Sequence, residues 1–206
     1  MLLFVVYVCK FLPPYVIYKA ESIYDKWTEN GPEQAEYTYT ASGWMESLQF
    51  LNWFKLFIKW TDNDEEKILL FLDGHTSHIA LDVIELAIEK KITLICLIPH
   101  STHALQPLDV SVFKSAKVAW RQIVSEYYST SGFKLIDKAT FPILLKKIYE
   151  TAFLPQHAVA GFYKSGLYPL DRSKPDAKVE TAEVFDEPVS SSPPQDQSPP
   201  QLNSSP

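Results

Sequence analysis

The sequence predicts an α/β fold, and three observations predict it. A continuous apolar run, Lys67 to Asp73, is followed by a helical stretch near Leu81–Lys90 and then a second apolar run, Ile92–Leu97. Strand, helix and strand with short connections form a βαβ unit, which requires a parallel pair and a right-handed crossover. The 46% hydrophobic and 14% aromatic shares of the 206 residues are ample for a real core.

Each element follows in order. Leu2–Val8 reads as a strand rather than a leader, because no basic stretch precedes it and no small-residue cleavage site follows. It is also too short to span a bilayer, and no membrane partner is expected. Tyr15–Ala20 is a second strand, bounded by Pro13 and Pro14. Ala35–Ser42 alternates and is rich in Tyr and Thr, so it is a third. Phe50, Trp53, Phe54, Phe57 and Trp60 recur at helical spacing and predict an amphipathic helix over Met45–Trp60. A polar loop, "TDNDEE", leads into the βαβ unit. The segment "IPHSTHALQPLD" is a loop that enters a helix, with Pro107 in the first turn, where a missing N–H costs nothing. That helix runs to about Tyr128 on an apolar stripe of Val110, Phe113, Ala116, Trp120, Ile123 and Tyr127. Lys114, Lys117 and Arg121 line its polar flank. Helices over Phe141–Phe153 and from Pro155 to Gly166 complete the ordered part.

From Ser190 the sequence reads "SSSPPQDQSPPQLNSSP". Such a stretch cannot offset the entropy lost on folding, so residues 172–206 are expected to be a disordered Ser/Pro/Gln-rich tail and 1–171 one domain. The net charge of −6 counts against a nucleic-acid binder, but the charge is unevenly placed. From Asp171 onward there are seven acidic and three basic residues. Lys67–Leu170 holds eleven basic and eight acidic residues, a net of +3. Two cysteines, Cys9 and Cys96, make no disulfide framework and point to a reducing compartment.

Asp73 ends the first strand of the βαβ unit, and Asp109 lies in the first turn of the helix that follows the second. The 35 residues between them match one βα unit, a strand and a loop, which can bring both carboxylates to one edge of the sheet. Two or three converging carboxylates are the usual holders of Mg²⁺ in phosphoryl transfer. On spacing alone, Asp73 as a turn residue and Asp109 as a helix-cap acid remain the plainer alternative.

The words around the acids add to this. "LDGHTSH", "LIPHSTHALQPLDVSVFKSAK" and "GFYKSGLYPLD", with "LPPYVIYKA" followed by "SGWM", resemble the DDE superfamily transposases of the pogo, Tigger and jerky group. The motifs occur in the family's order and cover about residues 2–172. The resemblance implies an RNase H-like mixed sheet flanked by helices, with three acids binding two Mg²⁺ or Mn²⁺ ions for DNA strand cleavage and transfer. It places the second acid at Asp73 and the third at Asp109, as metal ligands. His78 becomes the residue that orients the second acid, and His103 and Gln106 the neighbours of the third.

The family's first acid lies on a strand upstream of the "LPP" region. Asp25, Asp62 and Asp64 stand in no matching context, so the domain is expected to lack its first strand and to be catalytically incomplete. The family's DNA-targeting helices have no counterpart in this sequence. Losing a strand exposes backbone, so association is a risk and a homodimer a candidate assembly.

DNA is the expected partner, with Lys114, Lys117 and Arg121 as candidate phosphate contacts, and the nucleus the expected compartment. A domesticated, non-catalytic DNA-binding or scaffold protein is the alternative. Rival chemistries fare less well. The pairs His75/His78 and His100/His103 invite zinc, but they lie in loops without the helical spacing or Glu of a zinc enzyme. Ser77 and Ser101 lack a nucleophile elbow, and no phosphate-binding glycine loop exists.

Overall fold

The computed structural model describes residues 2–3, 6–7, 10–61, 67–73, 75–98 and 101–175. The polar loop with Asp62 and Asp64, Cys9, His100 and the tail beyond Pro175 lie outside the described residues. The strands are β1 (Leu2–Leu3), β2 (Val6–Tyr7), β3 (Lys10–Phe11), β4 (Tyr15–Lys19), β5 (Glu36–Thr40), β6 (Ile68–Leu72) and β7 (Ile92–Cys96). The helices are α1 (Ser47–Thr61), α2 (Leu81–Glu89), α3 (Thr102–Leu105), α4 (Phe113–Ser131), α5 (Phe141–Ala152) and α6 (Pro155–Ser165). The fold is mixed α/β, as expected. The longer elements sit within a residue or two of their predicted places.

β4 is covered on both faces. In β4, Tyr15 and Ile17 point to one core while Val16 and Tyr18 point to another. This is the period of two that a strand imposes, and it explains why "YVIY" is apolar throughout. The first core is built around α1. Phe50, Trp53, Phe54 and Phe57, at i, i+3, i+4 and i+7, are each at most 2% exposed. Their rings stack in a row, with Phe54 and Phe57 centroids 6.0 Å apart and nearly parallel. The row packs on Tyr15 and Ile17 of β4, on Leu70 and Leu72 of β6, and on Val83 and Ala87 of α2. The second core joins the far face of β4 to α4 and α5 through Val112, Ile123, Leu144, Leu145 and Ile148.

The sheet differs from the expected single one. β4 pairs with β5 in parallel and with the short β1 antiparallel, β2 pairs with β3, and β6 pairs with β7 in parallel. These are three separate sheets. Among the described residues no strand bridges the β4 group to β6, and α1 joins them by packing instead.

A second difference lies at Pro107. The expected long helix begins instead with a π-helical turn, Leu108–Val112, which passes into α4 at Phe113. Such turns hold one extra residue and recur at functional sites. This one is clamped by α6, whose buried face is the small series Ala158, Gly161 and Ser165. A Cβ at Gly161 would lie 2.6 Å from the Pro107 carbonyl oxygen, closer than any side-chain carbon can approach backbone. Residues 172–175, at the start of the expected tail, make contacts with the domain. Asp171 accepts from Ser173 Oγ at 2.7 Å, and Lys174 Nζ sits 3.2 Å from the Tyr163 ring centre.

Gly161→Ala is therefore expected to destabilise the fold by roughly 1–3 kcal/mol, as overpacking does. Denaturant unfolding should show the loss. Gly161→Ala unfolding at the wild-type midpoint would contradict the clamp.

Candidate active site

The site is built at the C-terminal ends of β6 and β7. Leu72 is the last residue of β6, and its carbonyl accepts from Leu97 N–H at 2.7 Å, one bond beyond the paired strands. That bond fixes where β6 ends and where Asp73 begins. The chain then turns. Asp73 Oδ1 accepts from His75 N–H at 3.3 Å, and His78 N–H donates to the His75 carbonyl at 3.0 Å to close a single 3₁₀ turn over Thr76–His78. His75 Nδ1 and Ser77 Oγ share a hydrogen bond of 2.7 Å inside that turn.

His78 is driven under the sheet end. Its ring lies against Phe50 of α1, tilted by 32° with centroids 4.3 Å apart. Its Nδ1 lies 2.7 Å from Asp73 Oδ1, while the Asp73 side chain stays 41% exposed. This is an ion-pair distance, but the ring N–H is not aimed along it. Nε2 is buried with no hydrogen-bond partner. Burial pulls the His78 pKa below the ordinary 6.5, and the Asp73 charge pulling it back up does not win. His78 is thus neutral at pH 7, a packed ring against a carboxylate rather than half of a full salt bridge.

Asp109 reaches the same edge by another route. It lies in the π-helical turn that follows β7 and α3. The residue is exposed, yet its carboxylate lies against enough protein for burial to push its pKa up. The Lys117 ammonium pulls the pKa down, and the Asp73 charge pushes it up again. The last effect places the two carboxylates, 36 residues apart in sequence, within electrostatic reach of one another. Lys114, Lys117 and Arg121 are exposed on α4, and the charge of Lys117 reaches Asp109. His103 is exposed in α3, and Gln106 gives its carbonyl to Val110 N–H at 3.0 Å. Among the described residues neither side chain braces Asp109. Asp25 lies in a 3₁₀ turn, Asp25–Trp27, apart from β6.

Two carboxylates that repel each other form a site short of positive charge, and their hard oxygens suit Mg²⁺ or Mn²⁺. Among the described residues, however, no group of three His, Cys, Asp or Glu could hold a metal ion. Among the described residues, two acids supply too few oxygens for a paired-ion centre. The same finding leaves the His-x-x-His zinc reading without a ligand set among the described residues.

A model of the DDE superfamily endonucleases matches residues 9–153. The chain belongs to the DDE endonuclease superfamily. Over 162 residues it is also 30% identical to a protein of Cochliobolus lunatus named MFS-type transporter clz9; the match covers 77% of this chain and 18% of that protein. Among the described residues of the DDE chain, no helix is long and apolar enough to cross a membrane.

Sequence reasoning missed two residues of this DDE site and gave only half the role of a third. Phe50 was read as core, and its second role under His78 depends on tertiary packing. Lys117 was read as a phosphate contact, although it also faces Asp109. Gly161, in the quoted "GFYKSG", had a signal in the small residues at 158, 161 and 165 on one helix face.

The pH dependence of stability follows from His78. Its pKa is lowered on folding, so its contribution is fully present above 6.5 and is lost as pH falls through the folded value. The unfolding midpoint should therefore drop on acidification below neutrality, with a smaller drop in His78→Gln. Histidine NMR titration should put the His78 value below 6.5 and lower still in Asp73→Asn. A value above 6.5 would contradict the burial.

Proposed function

We propose that this chain is a transposase-like nuclease domain of the pogo, Tigger and jerky group that binds DNA in the nucleus. In this reading Asp73 and Asp109 hold one divalent cation weakly. The supporting observation is that two acids stand where separate elements end, Asp73 after β6 and Asp109 in the turn that follows β7 and α3, with the Asp73 charge and Lys117 both acting on Asp109. A bound Mg²⁺ or Mn²⁺ would polarise a phosphodiester oxygen and make a bound water more acidic. The chain's own residues do the rest. His78 positions Asp73, the π-helical turn positions Asp109, and Lys114, Lys117 and Arg121 take DNA phosphates.

Strand transfer by this chain alone is expected to be slight, because two acids supply too few oxygens for the paired-ion geometry. The alternative, a domesticated DNA-binding or scaffold protein, draws on the lack of a three-ligand group among the described residues. The nuclease reading and the domesticated DNA-binding reading both need DNA binding, and they part at the metal.

The test uses the full chain and short duplex DNA. Replacing Lys114, Lys117 and Arg121 together by Ala should lower affinity for all sequences alike and reduce the salt slope by about three. Mn²⁺ binding, followed by electron paramagnetic resonance, should be weak in the wild type and lost in Asp73→Asn and in Asp109→Asn. DNA binding without Mn²⁺ binding would leave the scaffold reading standing. An unchanged salt slope in the triple variant would overturn the DNA contact itself.

A further inference from the structure

The described chain ends in helical backbone beside α6. Ser173, Lys174 and Pro175 are helical. Asp171 Oδ1 accepts from Ser173 N–H at 3.1 Å and from Ser173 Oγ at 2.7 Å, as a helix N-cap does. Beyond Pro175, outside the described residues, the sequence continues as "DAKVETAEVFDE", Asp176 to Glu187, and then Pro188. This segment holds five acidic residues and one basic residue. Asp176, Glu180, Glu183 and Glu187 recur at i, i+4, i+7 and i+11, the spacing of one helix face, and Lys178 falls on the opposite face. Val179 and Val184 border the acidic strip.

The helix α4 presents the complementary stripe. Lys114, Lys117 and Arg121 lie at i, i+3 and i+7, all exposed, with Val118, 51% exposed, among them. The buried Ala116 and Ile123 are on the other side of the helix. Asp109 already draws on Lys117, but Lys114 and Arg121 are in no ion pair among the described residues. Glu126, the one acid of α4, stands off the stripe and 4.0 Å from Lys147 of α5. Lys174, nearest the end of the described chain, is held against Asp171 and over Tyr163. The stripe is also within reach. Pro175 Cδ is 3.4 Å from the place of a Gly166 Cβ, and Gly161, earlier in α6, meets the Pro107 carbonyl at the start of the turn into α4. By that path Lys114 is at most about 30 Å from Pro175, and twelve residues span about 18 Å as a helix and about 40 Å extended. We propose that residues 176–187 dock as an acidic helix on the Lys114, Lys117 and Arg121 stripe of α4 and shield it from DNA. A strip of carboxylates offers these cations what a row of phosphates offers them. The docking itself stands apart from the DNA reading, but its regulatory consequence rests on that reading.

Two measurements on the full chain test it. The first uses no DNA. Carbodiimide coupling joins a carboxylate to an ammonium in contact with it, and mass spectrometry of the coupled monomer should find Glu180 and Glu183 joined to Lys114 and Lys117 ahead of the other exposed lysines. The second is binding of short duplex DNA at fixed salt. Asp176→Asn, Glu180→Gln, Glu183→Gln and Glu187→Gln together should tighten binding at least about tenfold, because a tethered competitor acts at high effective concentration. Glu21→Gln, Glu29→Gln, Glu33→Gln and Glu85→Gln, at exposed positions of other elements, remove the same charge and should give a much smaller gain. Links spread evenly over the exposed lysines, or equal gains from the two sets, would overturn the proposal. Links placed as expected, with no DNA binding by any variant, would uphold the docking and contradict the DNA reading instead.

Discussion

The structure depends on the packing of α1 against two groups of strands that share no hydrogen bonds. β4 with its neighbours and β6 with β7 are separate sheets, and the aromatic row Phe50, Trp53, Phe54 and Phe57 spans both. Backbone pairing usually carries the geometry of an α/β sheet from strand to strand. Here a helix carries it, through the burial of large rings. The first ring of the row, Phe50, also packs against His78, and His78 lies against Asp73. The core and the site are thus one continuous contact. A change in α1 is felt at the first carboxylate without any bond to it.

The second carboxylate is held by a different clamp. Asp109 sits in a π-helical turn pressed between α4 and α6, and the closeness of α6 depends on Gly161 having no side chain. Two independent supports, one aromatic and one built on small residues, deliver two like charges to the same edge. That arrangement costs stability unless something positive is near. Lys117 supplies part of it from the same helix, lowering the Asp109 pKa against the rise from burial and from Asp73. An ammonium placed there shields the pair and also occupies charge space that a cation would use.

Much of this was legible in the sequence, for physical reasons. The spacing of Phe50, Trp53, Phe54 and Phe57 can be satisfied only by a helix with one buried face, and α1 is found there. "ILLFL" and "ITLIC" carry no charge, as inner strands do, and they pair in register as a βαβ unit requires. The π-helical turn was not legible. Leu108–Val112 carries no residue that sets it apart from an ordinary first turn, and the contact with α6 lies some fifty residues downstream. The break between the sheets was hidden too, because hydrogen bonding between strands far apart in sequence leaves no local mark. His78 read as a loop histidine, since its burial arises from a helix nearly thirty residues upstream.

The most direct measurement of the account is the Asp109 carboxyl titration by carbon-13 NMR, in the wild type and in Asp73→Asn. If the fold brings the two acids together, the wild-type Asp109 value lies above the ordinary 3.8 and falls when the Asp73 charge is removed. An Asp109 titration that is the same in both proteins would mean that the carboxylates do not share an edge, and the candidate site would not exist.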